Sequence, residues 1–143
     1  MRLALPAPPE MFQWIADRAP IYLTPAFQAI AAIDDDGRIA GMVGYDGWTD
    51  SACSMHVAFD TPIAAKYLLR PAFEIPFLRL DRQVIVVTVL STNAKSLHLT
   101  RNAGFREVMR GRDWWKPGVD LVWFEMRRED CRFIRKEAAK EAT

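Results

Sequence analysis

Val84-Ile85-Val86-Val87-Thr88-Val89-Leu90 constrains this chain more than any other stretch, because it is an almost unbroken β-branched run. Such side chains lose rotamer freedom in a helix and pack well on a pleated surface, so the run predicts a strand. Its lack of polar alternation predicts burial on both faces and a place at the centre of a sheet. Shortly after it, Asn93 to Asn102 carries Leu97 and Leu99 among good helix formers, and Gly104 stands where a left-handed C-terminal cap belongs. A strand leading into a short capped helix is the seed of an α/β fold.

The flanking sequence extends that seed in both directions. Pro8 and Pro9 suit the first turn of a helix carrying Met11, Phe12, Trp14 and Ile15, which should end near Ala19-Pro20. Phe27 to Ile33 and Arg38 to Tyr45 read as strands joined by a turn at Asp34-Asp35-Asp36-Gly37, and Cys53 to Phe59 as a third strand of the same meander. Thr61-Pro62 reads as an N-cap followed by proline at the first helical position. Pro71 and Pro76 predict one helix to about Arg70 and a second short one to about Leu80. Phe105 to Arg112 and Val119 to Met126, around Lys116-Pro117-Gly118, predict a closing hairpin, and Arg128 to Ala142 a charged terminal helix or tail. The order is helix, three strands, helix, strand, helix, two strands, which predicts an α/β sandwich on a mixed sheet.

At 143 residues this is one domain's worth of chain, large enough to bury a core without cross-links. Nineteen Lys and Arg against eighteen Asp and Glu leave a net charge of +1, which gives no global argument for a nucleic-acid or anionic-membrane partner. Only Cys53 and Cys131 are cysteines, so a secreted disulfide scaffold is not expected and a reducing, cytoplasmic setting is. Pro6, Pro8 and Pro9 break the start before a signal-length apolar stretch develops, and no segment has the length of a membrane span. Two histidines, His56 and His98, without clustered cysteines cannot assemble a standard zinc site from local ligands.

The order of elements and the stretch from Asn93 to Phe105 together resemble the GNAT superfamily of acyl-CoA-dependent N-acetyltransferases. The residues that carry the likeness are Asn93 at the strand end, the small Ser96 three positions on, the apolar Leu99, and Gly104-Phe105. The likeness covers about Ala26 to Met126. The tail Met126 to Phe133 also resembles the end of a poorly characterised GNAT subgroup of phages and prophages.

The resemblance implies a GNAT-like mixed, mostly antiparallel central sheet flanked by helices, in one domain over residues 1–143. It also implies acetyl-CoA as co-substrate and a primary amine as acceptor. In that family two neighbouring strands splay apart and the pantetheine arm hydrogen-bonds to the freed backbone, while the diphosphate rests on N–H groups at the next helix start. Those strands would be Cys53 to Phe59 and Val84 to Leu90. Met55, Val57, Ile63, Ala65, Lys66, Asn93 and Ser96 are then the expected coenzyme-binding positions.

Two departures stand against the family pattern. The phosphate loop usually carries Gln or Arg, then Gly, then Gly or Ala at set spacing; here the positions read Asp60, Ile63 and Ala65, and only Ala65 agrees. Asp60 would set a negative charge where a diphosphate belongs, although Lys66 or Arg70 could compensate. Many members place a Tyr on the helix as the acid for the leaving thiolate, and the matching position is Thr100.

For the base, His56 is the leading candidate, since an imidazole titrates near neutrality. A packed strand histidine is the competing reading, with Asp46 and Asp50 as runners-up. Trp114 and Trp115 are adjacent, so one must leave the core side unless the strand is bulged. An exposed Trp there would mark a homodimer seam or an acceptor-site wall, and Arg101, Arg110, Arg112 and Lys116 could form a basic rim. The leading function is therefore an acetyl-CoA-dependent N-acetyltransferase. Its alternative is a GNAT-shaped binding or assembly protein without catalysis.

Overall fold

The computed structural model describes residues 1–134. Seven strands, β1 (Arg2–Ala4), β2 (Gln28–Ile33), β3 (Ile39–Asp46), β4 (Ala52–Phe59), β5 (Val84–Leu90), β6 (Arg106–Lys116) and β7 (Val119–Arg127), form one sheet in the order β1-β2-β3-β4-β5-β7-β6. Every neighbouring pair is antiparallel except β4 and β5. The helices are α1 (Phe12–Ala16), α2 (Pro62–Glu74) and α3 (Ala94–Ala103). The mixed, mostly antiparallel sheet with flanking helices is the architecture expected from the sequence. β1 is an addition, a short strand on β2 with Leu3 opposite Ala32.

The sheet separates two apolar clusters. On one face Ile30, Val43, Met55, Ile85, Val122 and Phe124 meet α2 through its buried Ala64, Leu68, Ala72 and Phe73. On the other, α1 buries Ile15 over Ala29, Ala31 and Met42, with Phe12 edge-on to Phe27 at 4.9 Å between centroids. The expected double burial of β5 is not found. Ile85 and Val89 are buried, whereas Val86, Val87, Thr88 and Leu90 stay partly exposed, because part of the strand borders a groove.

Pro71 does not end α2 as expected. It forfeits one backbone hydrogen bond, but the apolar stripe continues through Ala72 and Phe73, and their burial outweighs that loss. Pro76 falls in a wider turn, Ile75–Arg79, and has no N–H to offer the carbonyl of Ala72. The buried hydroxyl of Tyr45 donates to that carbonyl instead, at 2.7 Å. α3 is a contrast: its Asn93 side chain accepts the N–H of Ser96 at 3.1 Å, Gly104 closes it at φ 107°, and it buries no residue. After β7 a single tight turn covers Arg128–Asp130. The rest of the charged helix or tail expected to Ala142 lies beyond residue 134, outside the described residues.

Candidate active site

The pairing of β4 with β5 covers only Ala52 with Val84, Cys53 with Ile85 and Ser54 with Val86. Beyond that the strands part. β4 stays paired with β3 as far as Phe59 opposite Gly41, and β5 with β7 as far as Leu90 opposite Leu121. Each strand therefore keeps one satisfied edge and turns the other to a groove of about 530 Å³. A free strand edge is a template for an extended ligand.

Seven of the nine site residues expected from the sequence meet at this groove: Met55, His56, Val57, Ala65, Asn93, Ser96 and Thr100. Ile63 is 70% exposed and neither it nor Lys66 is among the residues that line the groove, although both sit in the first turn and a half of α2 beside it. His98 stands on the exposed side of α3, bonded to Asn102 at 2.8 Å, and Asp50 sits in an exposed turn.

His56 stands where the splay opens. Its Nε2 is 2.8 Å from Asp46 Oδ1, and both side chains are mostly buried, at 18% and 15% exposure. The β3–β4 register sets this pair, since Gly44 faces His56 and Asp46 faces Ser54, which puts His56 and Asp46 on one face one step apart. An ionised carboxylate can only accept, so Nε2 carries the hydrogen of this bond, and in the neutral form of the ring Nδ1 holds the lone pair. Asp46 is thus the partner of the histidine, a role the sequence reading had not given it. Beneath the pair, burial pushes the Cys53 thiol up to about 12; Arg82 pulls it down and Asp46 adds to the rise. Burial, and then Cys53, also holds the Tyr45 hydroxyl well above its ordinary 10.0.

The N-terminus of α2 borders the groove from the other side. Thr61 Oγ1 accepts the N–H of Ala64 at 3.1 Å, the Thr61 carbonyl takes that of Ala65 at 3.3 Å, and Pro62 has none. Asp60 is not a bare charge. Arg18 holds its carboxylate with two hydrogen bonds of 3.0 and 3.2 Å, its own guanidinium lying 3.8 Å over the Trp14 ring. Arg18 and the following Pro20 and Ile21 line the groove. The sequence reading missed this segment, whose signal was only a proline-bounded loop.

No protein-family model and no curated protein matches the sequence. Solved structures do. The spermidine/spermine N-acetyltransferase SpeG from Vibrio cholerae superposes with a TM-score of 0.73 over 90% of this chain and 92% of that one, at 14% identity. A point mutant of the same enzyme reaches 0.75 over 96% and 99%, at 13% identity. A putative phosphinothricin N-acetyltransferase gives 0.62 over 85% and 81%, at 18% identity. The chain has the GNAT fold. Nothing in these comparisons supports the phage subgroup suggested by the tail.

Within the GNAT fold, the closing hairpin supplies the remaining wall. β6 is irregular between Gly111 and Lys116, with Asp113 at φ 60°, so Trp114 and Trp115 do not simply alternate. Trp114 is 59% exposed and packs on Gly111, where an added Cβ would stand 2.1 Å from the indole. Trp115 lines the groove together with Trp123, whose buried indole N–H has no hydrogen-bond partner. Two of the four residues expected to form a basic rim are paired, Arg101 with Glu107 at 3.3 Å and Arg110 with Glu107 and Asp120 at 3.4 and 3.5 Å. Among the described residues no helix is long and apolar enough to cross a membrane.

Proposed function

We propose that this chain is a single-domain N-acyltransferase that moves an acetyl group from acetyl-CoA to a primary amine by direct attack. The observation that carries the reading is an open splay between β4 and β5 with a carboxylate-oriented imidazole at its opening. The pantetheine arm would lie along the free edge of Met55 to Val57. The acceptor nitrogen attacks the thioester carbon, a C–N bond forms and the C–S bond breaks. His56 takes the proton lost by nitrogen, at Nδ1, and Asp46 stabilises the imidazolium that results.

Coenzyme A leaves as a thiolate, which gains its proton from solvent. Thr100 lines the groove and can donate a hydrogen bond to the sulfur, but an alcohol is too weak an acid to protonate it outright. Asn93 and Ser96 set the start of α3 beside the arm. For the diphosphate, α2 offers fewer free amides than its length suggests, so Lys66 and the amide of Ile63 become the remaining donors. A cytoplasmic setting is the reading we attach to this function, on the sequence's two cysteines in a chain large enough to fold without cross-links.

The self-capped start of α2 and Thr100 favour a second reading, a GNAT-shaped binding protein without turnover. Calorimetry with acetyl-CoA separates the two. Saturable binding that Asn93→Ala or Lys66→Glu weakens is expected, and an absence of binding at millimolar acetyl-CoA would leave only the second reading. A homodimer with Trp114 in its seam is the expected assembly. Trp114→Ser should shift it towards monomer in sedimentation, and a wild type that stays monomeric at high concentration removes it.

A further inference from the structure

We propose that the acceptor is a monoamine with an aromatic body, its ring against Trp115 and Trp123 and its nitrogen at His56. The inference rests on the acyl-transfer reading above and names the substrate class for the same groove. Strand register supplies the geometry. Ser54 lies beside Val86, so two residues on, His56 and Thr88 face each other across the opening on the same side of the sheet. Thr88 is paired with Trp123, and Leu90, the next residue on that side, with Leu121. Trp115 from β6, and Pro20 and Ile21 from the segment after α1, line the same groove. The groove that the imidazole lines is therefore also lined by two indoles and by aliphatic side chains. Flat aromatic rings fill such a slot by stacking or edge contact.

Charge narrows the class further. Among the described residues no Asp or Glu lines the groove. Along this face of the sheet the carboxylates are engaged elsewhere: Asp46 by His56, and Glu125 by Arg106 at 3.4 Å and Arg127 at 3.9 Å. At the rim Arg18 holds Asp60. With a neutral imidazole, the His56–Asp46 pair carries one net negative charge, which matches one ammonium group on binding; that group gives one proton to solvent before its lone pair attacks, and His56 takes the second. A polyamine would carry its second and third ammonium groups into apolar walls with no counter-charge, at a large desolvation cost. This separates the chain from the spermidine enzymes whose fold it shares.

The test compares three amines in a thiol-release assay with acetyl-CoA. 2-Phenylethylamine should exceed hexylamine in kcat/KM by about 10-fold, as an aromatic contact allows. Spermidine should fall below both. Trp115→Leu should raise KM for 2-phenylethylamine more than for hexylamine while leaving the two kcat values similar. A second readout needs no turnover. Saturation-transfer NMR should show the ring protons of 2-phenylethylamine in contact with the free protein, weakened in Trp115→Leu and in Trp123→Leu. If acetyl-CoA binds but spermidine is the better acceptor, the aromatic class is overturned and acyl transfer stands. If the ring binds at the two tryptophans but acetyl-CoA does not bind, the aromatic site stands and acyl transfer fails. If the ring neither binds nor reacts, the proposal is wrong.

Discussion

β4 and β5 are one pair of strands with two fates. In the closed half, Ala52 to Ser54 against Val84 to Val86, Cys53 and Ile85 have no exposed surface. In the open half Val57 is 43% exposed and Thr88 and Leu90 are only partly covered. Both halves are mainly apolar, with Ser54 the polar residue of the closed half and His56 and Thr88 those of the open one. What differs is the partner: a closed strand edge gives each side chain a neighbour on either side, whereas an open one removes the lateral neighbour and exposes a row of backbone groups. Pairing and sheet face act together: Met55 and Val89 of the open half are still buried on the α2 side, whereas Val86 of the closed half stays partly exposed on the other.

The largest effect that can break this comparison lies at its hinge. His56→Ala should reduce acyl transfer by about 100 to 10,000-fold, the usual worth of a positioned base. His56→Gln should do the same with less disturbance, since its amide can still donate to Asp46 but cannot carry the proton. Folded variants with near-normal turnover would make His56 a packing residue and send the amine proton to solvent.

The closed half should answer in stability instead. Ile85→Ala is expected to cost about 2–5 kcal/mol, the range for truncating a fully buried aliphatic side chain. Chemical denaturation measures it, and a cost under about 1 kcal/mol would mean that the closed half is less tightly packed than its burial implies.

The sequence carried the elements that such pairing acts on, and less of the pairing itself. β5 was legible to the residue because β-branched composition is a local property, and the Asn93 and Gly104 caps because each acts within one turn. The break expected at Pro71 was overridden by packing of Ala72 and Phe73, a tertiary effect. Of the site, the groove residues on β4 and α3 were legible through the family likeness. The Asp46–His56 bond and the Arg18–Asp60 pair were not, since each joins residues brought together only by strand register or by the path of a loop. β1 was hidden by its three-residue length.

A smaller effect comes from the thiol at the base of the closed half. Cys53 holds its proton up to about 12 in the folded chain, against an ordinary 9.0. Between those values the unfolded chain binds fewer protons than the folded one, so stability falls as pH rises. The slope for one proton is about 1.4 kcal/mol per pH unit. Tyr45 adds to the fall above its own ordinary 10.0. Denaturation at pH 8, 9 and 10 should show this loss in wild type and less of it in Cys53→Ala. Equal slopes would mean that the thiol is not shielded.

The smallest effect sharpens the comparison from the open side. Val57→Ala removes a β-branched side chain from a strand, as Ile85→Ala does, but Val57 is 43% exposed where Ile85 is fully buried. Its stability cost should stay within about 0.5 kcal/mol, as for other exposed positions. If the pantetheine arm pairs with the backbone of β4, acetyl-CoA affinity should also change by no more than about twofold, because the substitution leaves every N–H and carbonyl in place. Denaturation and calorimetry on the same variant test both halves of the statement. A loss of 2 kcal/mol in stability would show that the splay closes in solution and that Val57 belongs to the core. Intact stability with a tenfold weaker affinity would show instead that the Val57 side chain, and not the strand edge, holds the arm.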